Sequence, residues 1–364
     1  MSGSELILAV AGSRKTQGII DACVAAPSGS RILIITYTVN NQIELRRRML
    51  YLYPEAEVEI VGWFTFLLHN ILYPYLPFLF PGQQIRGMDN ESGYQRGVRT
   101  AARERYFTSS GLVRRVHLAH LATQLIKKAK SLPLRRLEVL YDHIFIDEVQ
   151  DLTGYDLDVL AYLLNCEVPL TMVGDVRQAV LSTNPEERKY PGFKNMQVWH
   201  WFLDKEKQGV LTITYRQETW RCHPAIALFA DSLFAPEWGF PATVSRNEER
   251  TDHDGIFLVR TEDVDAYVSA FSPQLLRWDS RAMRSHDHLK FLTFGSAKGL
   301  TRSRVLIVPT VKMRELLQKG VPLGDLTAAK LYVGVTRAEQ SVAFVLDHPG
   351  GSTHPYWFPT GNAG

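Results

Sequence analysis

Cysteine is scarce in this chain of 364 residues: Cys23, Cys166 and Cys222 stand far apart and form no CxxC pair. Neither a disulfide framework nor a thiolate zinc site is expected, and the usage fits a reducing, cytoplasmic setting. Long apolar runs are missing as well. A membrane span needs ~18–20 apolar residues, and the longest candidate, residues 64–80, is broken by His69, Asn70, Pro74 and Pro77. No membrane partner is expected. The N-terminus, Met1-Ser2-Gly3-Ser4-Glu5, carries no basic residue before its apolar stretch and does not read as a signal peptide. No internal repeat is visible, and the formal net charge of +3 is too small to name a partner.

What is present is ordinary globular composition, 45% hydrophobic and 22% charged, over a length suited to two domains of roughly 100–200 residues each. Short β-branched runs alternate with helical stretches. Strands are expected at residues 5–10, 31–36, 58–61, 143–147 and 170–173, with helices at 17–26 and 42–52. The second half repeats the rhythm: a helix at 224–233, strands at 255–259, 289–294, 305–308 and 341–346, and a helix at 326–335. Such alternation predicts α/β domains with parallel sheets. The boundary falls near a polar stretch, residues 204–209, giving domains of 1–207 and 208–364. Residues 66–140 break the rhythm, first aromatic and Pro-rich, then basic, and read as a largely helical insertion. Between Arg96 and Arg136 there are eleven Lys or Arg residues and one acid, Glu104. Composition does not separate a solvated helical face from a surface that tracks phosphates. At a spacing of three and four, Arg96, Arg99 and Arg103 would share one helix face.

Two loops carry chemistry. Ala9-Val10-Ala11-Gly12-Ser13-Arg14-Lys15-Thr16 joins a strand to a helix. In that context the backbone N–H groups of Gly12, Ser13 and Arg14 and the helix N-terminus can hold phosphates. Lys15 then reaches the β and γ oxygens and the Thr16 hydroxyl holds Mg²⁺. Ala9 and Arg14 occupy the places of two P-loop glycines, so the alternative is a chance turn. Ile144-Phe145-Ile146-Asp147-Glu148-Val149-Gln150-Asp151 ends a buried strand in carboxylates. Hydrolysis needs one carboxylate for the metal's water shell and one to activate water; Asp147 and Glu148 suit these roles. Acids also cap helices, but a cap does not call for adjacent acids followed by Gln and Asp.

Asp-Glu-x-Gln-Asp resembles motif II of UvrD/Rep-like superfamily 1 helicases, and other motifs follow in that family's order. Thr36-Tyr37-Thr38-Val39-Asn40 resembles motif Ia and Gly62-Trp63-Phe64-Thr65-Phe66 motif Ib. The resemblance implies nucleic-acid contacts at Thr38, Asn40 and Phe64. Val173-Gly174-Asp175-Val176-Arg177-Gln178 is similar to motif III, implying that Gln178 links the γ-phosphate to nucleic acid. Trp220-Arg221-Cys222-His223-Pro224-Ala225-Ile226 looks like motif IV, with Arg221 as phosphate sensor; Arg216 in Thr214-Tyr215-Arg216 is its rival. Residues 293–300 resemble motif V, with Gly299 at the nucleotide, and residues 332–339 resemble motif VI, with Arg337 as arginine finger.

The resemblance implies two RecA-like P-loop NTPase domains, with ATP and Mg²⁺ in the cleft between them. It implies an ATP hydrolase moving 3′ to 5′ on single-stranded nucleic acid, DNA more than RNA, with Arg96, Arg99 and Arg103 on the nucleic-acid backbone. There are departures. Only eight residues precede Ala9, which leaves out the family's adenine-reading glutamine. Leu181 replaces the base-stacking aromatic of motif III. Gly295 and Thr301 stand where His and Glu are usual. About seventy residues separate motifs IV and V, so the large accessory domain is not expected. Arg14 adds a cation that either aids phosphate binding or crowds the loop. A reduced form of this kind also suits a nucleic-acid-gated ATPase switch serving a partner, such as a nuclease in a phage-related or defence system. A P-loop kinase of small molecules would leave motifs Ia, III and VI without purpose.

Overall fold

The computed structural model describes residues 3–52, 54–279 and 281–359. The chain forms two compact units. The first comprises Met1–Leu8, Lys15–Val176 and Leu181–Thr214; the second comprises Ala9–Arg14, Arg177–Val180 and Tyr215–Gly364.

In the first unit, β1 (Glu5–Ala9), α1 (Lys15–Val24), β2 (Arg31–Thr36), α2 (Val39–Leu52) and β3 (Glu57–Gly62) alternate. After the insertion, with α3 (Leu118–Lys128) and α4 (Leu132–Leu140), come β4 (His143–Asp147), α5 (Tyr155–Leu163), β5 (Leu170–Gly174), α6 (Val198–Lys207) and β6 (Thr212–Arg216). The sheet order is β3-β2-β4-β5-β1-β6. Pairing is parallel from β3 through to β1, with Ile34 opposite Ile60 and Phe145, and Ile7 opposite Val173. Ile32, Leu33, Ile34 and Ile35 are all buried, because a strand covered on both faces has no polar side to alternate with. Parallel register brings the C-terminal ends of β1, β4 and β5 to one sheet edge, with Leu8 beside Gly174 and Asp147 beside Val173. Loops at that edge are where α/β sheets bind ligands.

The insertion is helical only at its ends. Residues 63–78 are a run of helical turns that includes a π turn, Leu67–Leu72. Pro74 and Pro77 fall in the first or second positions of their turns, where a missing N–H costs little. Residues 79–102 hold no helix; their one regular element is a two-residue strand, Met88–Asp89, paired with Val113–Arg114. Arg96 and Arg99 lie in this irregular part, while Arg103 opens a single turn, Arg103–Tyr106. The three therefore do not share a helix face. Gly93 and Gly97 interrupt the stretch, and it lacks a 3.6-residue apolar period to bury. Residues 204–209, expected as a hinge, are mostly the end of α6. Their polarity belongs to the solvated face of a helix that buries Val198, Trp199, Trp201 and Phe202.

The second unit contains α7 (Pro224–Asp231), β7 (Gly255–Val259), α8 (Val264–Phe271), β8 (Gln274–Arg277), β9 (Phe291–Thr293), β10 (Arg302–Ile307), α9 (Val311–Lys319), α10 (Asp325–Val335) and β11 (Ala338–Val345). Its sheet is parallel throughout, in the order β7-β11-β10-β8-β9. Ile226, Leu258, Phe294, Val305, Leu331, Tyr332 and Phe344 form its core, and Ala11 belongs to the same cluster. Two parallel α/β sheets, one per unit, agree with the parallel α/β class expected from the alternation and with the RecA-like form that the resemblance implies. Among the described residues no helix is long and apolar enough to cross a membrane.

Candidate nucleotide and nucleic-acid sites

The carboxylate turn lies at the C-terminal end of β4 in the first unit. Asp147, 2% exposed, closes the strand, and its Oδ1 accepts the Glu148 N–H at 3.0 Å. Glu148 adopts φ 58°, the left-handed region that L-residues avoid. Gln150 Nε2 donates to Glu148 Oε2, and Gln150 Oε1 accepts the Asp175 N–H at 3.1 Å. Gln150 thus ties the turn after β4 to the turn after β5. A Cβ on Gly174 would stand 2.5 Å from Gln150 Oε1, so only glycine admits this bridge. Sequence reading assigned Gln150 no role; its place in the quoted motif was the available signal.

Residues 10–14 lead into α1, and Lys15 and Thr16 are that helix's first two residues, both half-buried. Arg14 takes φ 60° and Gly12 φ 76°. At the first of these positions an arginine therefore holds the left-handed conformation that glycine adopts without strain. The Ser13 hydroxyl is buried and has no hydrogen-bond partner among the described residues. A strand-to-helix loop with a lysine, a hydroxyl and an unsatisfied buried donor suits a magnesium nucleotide's phosphates.

Within the second unit, this loop packs on the segment around Arg221. Trp220 N–H donates to Gly12 O at 3.0 Å, and the Arg14 guanidinium lies 4.1 Å from the Trp220 ring centroid. A Cβ on Gly12 would meet Arg221 Cβ and Thr219 Oγ1 at 2.6 Å each. Ala11 N–H donates to the Tyr332 hydroxyl at 3.2 Å. Arg221 Nη1 donates to Thr336 O at 3.1 Å, and Arg216 Nη1 reaches Arg14 O at 3.5 Å. Arg337 is 2% exposed; Nε donates to Val333 O at 2.9 Å, Nη1 to Leu300 O at 3.4 Å, and Nη2 to Gln178 Oε1 at 3.2 Å. Gln178, Arg221 and Arg337 therefore belong to one unit together with Gly12, Ser13 and Arg14. Gly299 is an exposed turn residue at φ 88°.

The nucleic-acid candidates separate. The Thr38 hydroxyl accepts the Asn41 N–H at 3.2 Å and so caps α2; Asn40 is exposed on that helix's first turn. Phe64 packs edge-on to Tyr37 at 6.2 Å, with the Arg115 guanidinium 5.6 Å from its ring. Arg115 is a cation over an aromatic that packs on Tyr37, and sequence reading counted it only within the basic stretch. Beneath Phe64, Trp63 Nε1 donates to Asp156 Oδ1 at 2.6 Å. Burial pushes the Asp156 carboxyl up to about 6, against hydrogen bonds from Thr183, Trp63 and Thr153. Arg96 and Arg99 are exposed, whereas Arg103 Nε is held by Gln83 Oε1 at 2.5 Å. Arg114 pairs with Asp89, and Arg136 donates to Asn70.

Among the described residues no cluster of His, Cys, Asp or Glu could hold a metal ion by itself. No protein-family model matches the chain, and no curated protein does. Solved structures do. Arterivirus nonstructural protein 10 (helicase) is 14% identical with a TM-score of 0.46, covering 94% of this chain and 59% of that one. The same arterivirus protein with DNA gives 14% identity and 0.45, covering 94% and 61%. The Pif1 helicase from Bacteroides, in complex with ADP-AlF3 and ssDNA, gives 12% identity and 0.37, covering 96% and 90%. The chain thus spans about three-fifths of the arterivirus chains it matches.

Proposed function

We propose that the chain is an ATP-dependent translocase or helicase acting on single-stranded nucleic acid, DNA by preference and 3′ to 5′. The observation that carries this reading is the Gln150 bridge. It fixes Glu148 beside Asp147 at a strand end and links that carboxylate to the turn preceding Gln178. A positioned carboxylate next to a metal-type aspartate is what activated-water attack on a phosphoanhydride requires.

In this reading Lys15 and Thr16 hold phosphate and metal, Asp147 orients the metal's water shell, and Glu148 takes the proton of the attacking water. Gln178, Arg221 and Arg337 sense the γ-phosphate, with Arg221 preferred over Arg216 because Ile226 and Phe229 follow it at the spacing of the family's motif IV. The bound Mg²⁺ would supply charge neutralisation at the phosphate oxygens. Thr38, Asn40 and Phe64, with Arg96, Arg99 and Arg103, contact the strand. Residues 224–293 supply α7, β7, α8 and β8 to the second unit, which supports a compact form without the large accessory domain.

A second reading is a nucleic-acid-gated ATPase switch serving a protein partner such as a nuclease. Leu181, in place of a base-stacking aromatic, favours it, since such a stack is worth ~1–3 kcal/mol per base. One assay separates the readings: ATP turnover with and without single-stranded DNA, alongside strand displacement. Stimulation with displacement is expected. Stimulation without displacement favours the switch, and no stimulation overturns both.

A further inference from the structure

Arg177 carries a charge into the interior of the second unit. It is 3% exposed, and its Nη1 lies 3.1 Å from Asp231 Oδ1 on α7. Its guanidinium lies 4.9 Å from the Tyr332 ring centroid and 5.5 Å from that of Phe240. Asp231 is itself fixed: its carboxylate accepts the Thr243 N–H at 2.6 Å and the Thr243 hydroxyl at 2.7 Å. A buried cation costs several kcal/mol unless paired and well placed, so a surface-type arginine would not be kept here for solubility.

Its neighbours give it a purpose. Gln178 follows directly in the same 3₁₀ turn, Val176–Gln178, and accepts from Arg337 Nη2 at 3.2 Å. Tyr332, under the guanidinium, accepts the Ala11 N–H of the phosphate-type loop. One residue therefore stands next to Gln178 in the turn and, through its side chain, on the tyrosine that receives the loop's N–H. We infer that Arg177 is a positioning residue for hydrolysis. It is clamped between Asp231 and Tyr332 so that the Gln178 carboxamide and the Arg337 guanidinium meet in one fixed geometry. This rests on the proposed ATPase reading and adds to it a residue that does not touch the nucleotide. The guanidinium matters, because its extended group meets Asp231 with one nitrogen while its carbon stays 4.9 Å from the Tyr332 centroid, which a compact lysine ammonium does not reproduce.

The test uses the full chain and measures kcat and KM for ATP with saturating single-stranded DNA, together with the melting temperature. Arg177→Lys, which keeps the charge, is expected to lower kcat about tenfold or more while KM stays within about twofold, since misplacement by an ångström costs the transition state and not ground-state binding. Arg177→Ala should fall at least as far, and Asp231→Asn should reproduce part of the loss. If wild type hydrolyses no ATP, the underlying reading fails. If wild type is active and Arg177→Lys has wild-type kcat, the positioning role alone is overturned. That role is equally overturned if the melting temperature of both Arg177 variants drops while kcat per folded molecule is unchanged.

Discussion

Glu148 meets a backbone demand and, in the proposed reading, a chemical one. Its φ of 58° is a conformation that costs an L-residue about 1–3 kcal/mol, and the hydrogen bond from Gln150 holds it there. Glu148→Gln keeps the side-chain length and can still turn an oxygen toward Gln150, so the turn survives while the base is lost. Turnover is expected to fall at least about a hundredfold, with ATP binding by calorimetry nearly unchanged; near-wild-type turnover would take the base role from Glu148. Asp156 gives a prediction of another kind. Its folded-state pKa of about 6 lies above the ordinary 3.8, so its contribution is whole below about pH 4 and is lost as pH rises through 6. The rise corresponds to about 3 kcal/mol. Asp156→Asn removes that titration. The melting-temperature difference, variant minus wild type, should therefore grow more positive from about pH 4 to pH 7. A flat difference would return Asp156 to the ordinary carboxylate range.

Loops and helices show how much was legible. Strands 31–36, 143–147 and 255–259 appear with the expected bounds, because uninterrupted β-branched runs have few alternatives to a buried parallel strand. Helix α9 was missed: it buries only Met313 and Leu317 and is announced by its Thr310 cap more than by an apolar stripe. The short strand β8, four residues long, gave no period to read. The left-handed turns at Arg14 and Glu148 were not legible either, because arginine and glutamate carry no local signal for positive φ. The phosphate-type loop makes its own prediction. Gly12→Ala places a methyl group 2.6 Å from Arg221 Cβ at φ 76°, so the loop must shift. A loss of about 1–3 kcal/mol in stability and a raised KM for ATP are expected, read by thermal melting and steady-state kinetics. For the basic stretch, Arg96 and Arg99 are the exposed pair and Arg103 is engaged by Gln83. Arg96→Gln with Arg99→Gln should weaken oligonucleotide binding at low salt and flatten its salt dependence by roughly 0.7 in log slope per lost phosphate contact. An unchanged slope would leave these arginines as solvated surface.

At the scale of the molecule, the alternation of strands and helices made the α/β class legible, but membership of the second unit was not. Ala9–Arg14 and Arg177–Val180 join it through tertiary contacts, which no reading along the chain can see. A fragment spanning residues 215–364 would lack Ala11 from its core and the partners that Gln178 and Arg177 provide to Arg337 and Asp231. It is expected to melt below the same unit in the intact chain and to bind a hydrophobic dye. Equal melting would show that the two segments add nothing. The hydrogen bond from Ala11 to Tyr332 joins residues 321 positions apart. On a ribosome adding about 5–20 residues per second, the phosphate-type loop emerges roughly 15–60 s before the tyrosine that receives its N–H. Until then Trp220 and Arg221 can pack on the loop, but the Ala11 N–H lacks the hydroxyl that receives it. A late-made helix thus completes an early-made loop, and the Ala11 hydrogen bond cannot form on a nascent chain that stops short of α10.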